Sequence, residues 1–187
     1  MKKETKRKIV NFTTNIIDTF LGIPETLICS FDRKNFYYLM TNNFPEKQLT
    51  VDNICHWIHN LKKRGYIRIE KTNNTESIVF TDKAKLIVVD KLINKSPRND
   101  YWHFVSFDIP ERKRLGRDQF RRTIKRMGFK QIQKSLWVSD KNVGEYIEMA
   151  SLEFGVSEYV VYLVTNKTNI DAHIKLVLTP PNSSEPN

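Results

Sequence analysis

An apolar run ends on one aspartate, and a dense basic stretch follows at once in FDIPERKR, residues 107–114. Two chemistries fit Asp108. Paired with its copy across a dimer, its carboxylate would hold Mg²⁺ together with substrate phosphates and support phosphodiester hydrolysis, since Mg²⁺ is usually held by one or two carboxylates plus phosphate oxygens. Alternatively, at a strand end just before Pro110, it would cap the next helix or accept a local hydrogen bond, and no catalysis is then required.

A second candidate constellation is HWIH, where His56 and His59 stand three residues apart beside Cys55. Structural zinc normally takes four ligands, and no further ligand cluster lies nearby, so neither metal nor other cofactor is expected here. With the apolar stripe Ile54, Trp57, Ile58 and Leu61 turned inward, a helix over this stretch projects Asp52, His56, His59, Asn60 and Lys63 to the opposite side. Such a face, continued by Arg64, suits a DNA major groove, where side chains of one helix read base edges and nearby bases grip phosphates.

A third is the stretch 112–134, with ten bases against one acid. Arg112, Arg114, Arg117, Arg121, Arg122 and Lys125 would form a second basic patch for a nucleic-acid backbone or an acidic small-molecule effector. Leu115, Phe120, Ile124 and Met127 fill the helix's apolar side. The chain as a whole carries +10, with a pI near 9.6, which favours a polyanionic partner.

The elements that must position these residues fall into two sets. Ile9, Phe12, Ile16, Ile17 and Phe20 recur at helical spacing ahead of Gly22 and Pro24, and a second helix is expected over 33–41. Thr50 suits an N-cap, and Gly65 a C-terminal stop, for the helix bearing the two histidines. YIRIEKTNNTESIVFT alternates on both sides of TNNT, predicting a β-hairpin whose tip brings Arg68, Lys71 and Asn73 as a wing. With one further helix over 82–94, this order predicts a winged helix-turn-helix domain over residues 1–94.

KSPRND, residues 95–100, reads as a linker. Beyond it, YWHFVSFDI predicts a strand, 113–127 a helix ended by Gly128, FKQIQKSLWVS a strand pair, 142–154 a helix, and EYVVYLVT a buried strand. The βαββαβ order implies a ferredoxin-like domain over 101–178 and an α+β chain overall. HIKLVL is expected as an additional edge strand pairing across a homodimer, and residues 179–187 as a disordered tail. No apolar run approaches the roughly 20 residues that cross a bilayer, and the N-terminus lacks a cleavable apolar leader, so a cytoplasmic protein without membrane contact is expected. Cys29 and Cys55 are too few for a disulfide framework.

VSFDIPERKR followed by RRTIKRMGFKQIQKSLWVS resembles the small CRISPR-associated adaptation protein, the second Cas protein. That resemblance implies a ferredoxin-like dimer, with Asp108 at the position of the family's proposed metal ligand and Gln133, Ser135 and Trp137 matching its Q-x-S element. The fuller resemblance, over roughly residues 10–165, is to PaaX-type transcriptional repressors, through Gly65-Tyr66-Ile67, FDIPE, and GF followed by SLWVS. It implies a winged helix joined to a Cas-like domain and double-stranded DNA as partner. Those repressors continue into a C-terminal helical domain, for which no room is left after Thr165, so a phenylacetyl-CoA effector does not carry over. A CRISPR-associated endonuclease or integration scaffold, with paired Asp108 holding Mg²⁺, is the competing reading.

Overall fold

A computed structural model describes residues 13–19, 33–45, 49–72, 75–94 and 98–179 and shows a mixed α+β chain. It divides into two compact units, residues 1–88 and 89–187. The N-terminal bases Lys2, Lys3, Lys6, Arg7 and Lys8, which the sequence offers as an arm for a phosphate backbone or as a solubilising end, the Asn73 wing tip, residues 95–97 of the expected linker and residues 180–187 of the tail lie outside the described residues.

The first unit is helical over residues 13–19 (α1), where Ile16 and Ile17 are fully buried. Helix α2 (Arg33–Asn43) buries Phe36 and Met40, four residues apart on one face. Helix α3 (Val51–Lys63) starts where the Thr50 hydroxyl accepts a hydrogen bond from the Asn53 amide at 3.3 Å. It stops at Gly65, whose φ of 73° lets Tyr66 N–H donate back to Leu61 and Gly65 N–H to Lys62. That reversal leads directly into β1 (Ile67–Thr72), which pairs antiparallel with β2 (Thr75–Phe80). Ile67, Ile78 and Phe80 are buried, and the Thr81 hydroxyl donates to the Gly65 carbonyl at 2.6 Å, tying the hairpin's base to the helix exit.

The single helix expected over 82–94 is two, α4 (Asp82–Ile87) and α5 (Val89–Asn94). The break is at Val88, in the run Ile87-Val88-Val89, where three β-branched side chains crowd successive χ1 rotamers.

In the second unit β3 (Arg98–Phe107), α6 (Arg114–Arg126), β4 (Lys130–Gln133), β5 (Leu136–Lys141), α7 (Gly144–Glu153) and β6 (Val160–Thr165) follow in order. Residues 98–100, read from sequence as the linker's end, already belong to β3. The sheet runs β4-β5-β3-β6 with every neighbouring pair antiparallel. Strand β4 is therefore parallel to β3 with β5 between them, and β6 is parallel to β5 with β3 between them. Each helix crossover spans one inserted strand. On one face Phe107 stacks with Trp137 and meets Phe120 of α6 edge-on.

On the other face Phe104 and Val138 pack against Ile174, with Trp102, Ile132, Leu136, Ile170 and Leu178 around them. Here the sequence expectation fails: HIKLVL is not an edge strand but part of helix α8 (Asp171–Leu178). Ile170, Ile174 and Leu178 are four residues apart, so a helix turns all three onto the sheet. Asp171 anchors its start by accepting from the Trp102 indole at 2.9 Å and from Thr168. EYVVYLVT is likewise not fully buried: β6 is the sheet's edge, with Val161, Leu163 and Val164 about half exposed.

Candidate nucleic-acid interface

Helix α3 buries Ile54, Ile58 and Leu61 and half-buries Trp57, which fixes its rotation. The opposite side presents His56, His59 and Lys63 exposed, with Asn60 half-buried between the two faces and Arg64 exposed at the end. Among the described residues, none of Lys62, Lys63 and Arg64 has a carboxylate partner. Lys62 was not singled out from sequence. It lines an open cleft with Cys55, Ile58, His59 and Ile69, where the helix meets β1. Only the packing of the hairpin onto the helix turns that side into a concave surface. On the hairpin, Arg68 is paired to Glu70 at 2.6 Å and Lys71 to Glu76 at 3.1 Å, so the wing's net charge is smaller than its bases suggest.

Asp108 follows β3 with its side chain exposed and its amide donating to the Tyr159 carbonyl at 3.3 Å. It does not cap the helix. A short 3₁₀ turn, Glu111–Lys113, precedes α6, and neither its first residue nor that of α6 is capped by a side chain. Pro110, which has no amide hydrogen, stands at the turn's start. Among the described residues the Asp108 carboxylate has no hydrogen-bond or ion-pair partner, and no group of three metal-ligating side chains occurs. Gln133 and Ser135 are exposed and Trp137 is buried, while the Ser135 carbonyl accepts from the Phe107 amide, placing the β4–β5 turn beside the end of β3.

The second basic patch is neutralised from within only in part. Arg117 donates to Glu111 at 2.9 Å and to the Ile109 carbonyl, and Arg114 lies 3.6 Å from Glu111 and 4.0 Å from Asp118. Lys113 pairs with Glu158 and Arg126 with Asp90 of α5. The Lys113 hydrogen bond holds the Glu158 carboxyl below its usual range. Arg112 donates to the Tyr159 hydroxyl at 3.0 Å, which raises its own affinity for the proton. Arg122 bonds only the Asp118 carbonyl. Arg121 lies 5.9 Å from the Phe107 ring centre and Lys125 lies 5.6 Å from that of Trp137.

Inside the unit, His103 is buried between Tyr162 and Asn99. One ring nitrogen meets the Tyr162 hydroxyl, and the other lies 3.1 Å from the Asn99 side-chain oxygen. With Asn99 accepting, Nε2 carries the proton and Nδ1 accepts from Tyr162, a neutral imidazole satisfied on both sides. Burial lowers the His103 pKa, opposed by Asp140, and burial raises that of Tyr162.

No helix among the described residues is long and apolar enough to cross a membrane. Residues 95–177 match the family model of the PaaX protein central Cas2-like domain. The match covers the second unit's sheet with α6, α7 and nearly all of α8, and leaves α5 and the first unit to be read from their own geometry. No curated protein and no solved structure matches the chain.

Proposed function

We propose that this protein is a PaaX-like, homodimeric transcriptional regulator that binds duplex DNA through its first unit and dimerises through its second. The observation that carries the reading is the exposed His56, His59, Lys62 and Lys63 face on α3, followed within a few residues by the β1–β2 hairpin. Helix α3 with α2 is the helix-turn-helix pair, the hairpin is the wing, and the fold is a winged helix. Unpaired cations beside neutral donors and acceptors suit phosphate contacts flanking base contacts in a major groove. The family match supports regulation through the second unit, and the strand order β4-β5-β3-β6 with its two crossovers supports a ferredoxin-like reading. Val161 and Leu163 share one face of the edge strand β6, an apolar surface suited to a second copy. A cytoplasmic location follows from this role.

Selection from a random duplex pool, followed by binding of the recovered sequence over a salt series, tests the reading. Sequence-selective, salt-sensitive binding that His59→Ala/Lys63→Ala loses, with the DNA left intact in Mg²⁺, is the expected result. One observation favours a second reading. The Asp108 carboxylate is exposed and free, as a metal-dependent endonuclease or integration scaffold of the CRISPR-associated type would need. Mg²⁺-dependent cutting abolished by Asp108→Ala would establish that reading and overturn the first.

A further inference from the structure

The flank of α6 over the sheet gathers hydrogen-bond donors without acceptors. The Nε atoms of Arg117 and Arg121 and the indole Nε1 of Trp137 are all buried, and none has a hydrogen-bond partner among the described residues. Buried polar groups are almost always paired, so three unpaired donors require an explanation. Trp102 supplies the contrast, for its indole N–H reaches Asp171 at 2.9 Å. Trp137 is 2% exposed and its N–H reaches nothing.

The surroundings of Trp137 are cationic. Its ring stacks on Phe107 with centres 6.3 Å apart, Arg121 lies over Phe107 and Lys125 over Trp137. Arg117, Arg121 and Lys125 are spaced four residues apart along α6, so they line one side of the helix. Arg117 is committed to Glu111 and the Ile109 carbonyl. Arg121 and Lys125 have no carboxylate partner among the described residues. Two cations without a carboxylate partner and an indole N–H without an acceptor, among the described residues, call for an anionic acceptor.

We propose that Arg121, Lys125 and the Trp137 indole form a binding site for a phosphate group on the flank of α6. Arg121 offers the forked guanidinium that matches an oxyanion, Lys125 a mobile point charge, and Trp137 a single directional donor. Lys125 is exposed, so its ammonium can swing from the ring toward the ligand. A phosphodiester of nucleic acid and a free phosphate compound share this chemistry. The site does not depend on the DNA-binding reading of α3.

The chain has three tryptophans, so ¹H–¹⁵N NMR of the intact protein gives three indole signals, and Trp137→Phe identifies the relevant one. Inorganic phosphate and a short DNA duplex are titrated separately, at constant ionic strength, with chloride as control. The expected result is a saturable shift of the Trp137 signal that Lys125→Gln weakens roughly tenfold, the scale of one charge-assisted contact. Arg121→Gln is expected to act likewise. Lys125 is exposed, so its variant retains the fold and carries the test by itself. A response to both titrants assigns the site to free phosphate compounds, and a response to duplex alone assigns it to the DNA backbone. An unmoved Trp137 signal with both titrants, a shift that Lys125→Gln leaves unchanged, or the same shift with chloride overturns the proposal. A duplex that moves only Trp57, on α3, overturns it while upholding the DNA-binding reading.

Discussion

Helices α3 and α6 are both amphipathic, both 13 residues long and both basic at the C-terminal end, yet they use their charge differently. On α3 and its C-cap, Lys62, Lys63 and Arg64 face solvent without acidic partners. On α6 and the turn before it, Lys113, Arg114, Arg117 and Arg126 are spent on Glu158, Glu111, Asp118 and Asp90. A count of bases therefore overstates the unpaired charge of α6: Arg121, Arg122 and Lys125 remain without a carboxylate partner among the described residues, no more than the three on α3. Two of these, Arg121 and Lys125, sit over aromatic rings, an arrangement suited to one anion rather than to a long polyanion.

The strongest way to break this comparison is to remove three cations from each helix. Lys62→Ala/Lys63→Ala/Arg64→Ala is expected to flatten the dependence of log affinity for DNA on log salt by roughly 0.9 for each phosphate no longer neutralised. The matched set Arg114→Ala/Arg117→Ala/Arg126→Ala is expected to leave that slope nearly unchanged, and fluorescence anisotropy over a salt series measures both. Equal slopes for the two variants would show that ion pairing within α6 does not withhold its charge from DNA.

A smaller effect tests what positions α6. A Cβ on Gly116 would lie 2.6 Å from the Phe154 carbonyl oxygen, a backbone atom that cannot rotate away. Gly116→Ala is accordingly expected to cost about 1–3 kcal/mol by overpacking. Chemical denaturation followed by Trp102 and Trp137 fluorescence reads it, and a loss near zero would show that α6 can shift along its neighbour.

Next in size is the pH response of the second unit. Burial depresses the folded-state pKa of His103, so the unfolded chain binds that proton more readily. This contribution to stability is complete above the unfolded value near 6.5 and is lost as pH falls from there through the folded value. Melting at stepped pH should show the second unit weakening below about pH 6.5, and His103→Gln should remove that dependence. An unaltered slope in the variant would assign the effect to other groups.

The smallest expected effect comes from Arg126→Ala, which breaks an ion pair with both side chains substantially exposed. Exposed pairs are worth about 0.2–1 kcal/mol. The same substitution frees Asp90, whose carboxyl burial alone would raise but which the hydrogen bond and charge of Arg126 hold below its usual range. Loss of that depression should return the Asp90 carboxyl resonance to an ordinary titration by NMR.

Much of the fold was legible from local pattern. The stripe Ile54, Ile58 and Leu61, the Thr50 cap and Gly65 define α3, and the alternation around TNNT defines the hairpin, because each signal lies within a few residues. HIKLVL misled because its alternation suits a strand, while the partners that make it a helix, Phe104, Val138 and Trp102, lie some 30 to 70 residues away. Asp108 also looked locally like a cap, yet the turn before α6 starts at Pro110 and leaves the carboxylate free.

By itself the sequence determined which stretches are helices or strands in most of the chain, which side of α3 is apolar, and where the bases are concentrated. These follow from periodicity and from residue chemistry, which act over a few positions. Which bases remain free, whether Trp137 has an acceptor, and that the cleft beside His59 includes Lys62 were decided only by tertiary structure. An ion pair, a buried donor and a concave surface are relations between residues distant along the chain, and packing alone brings them together.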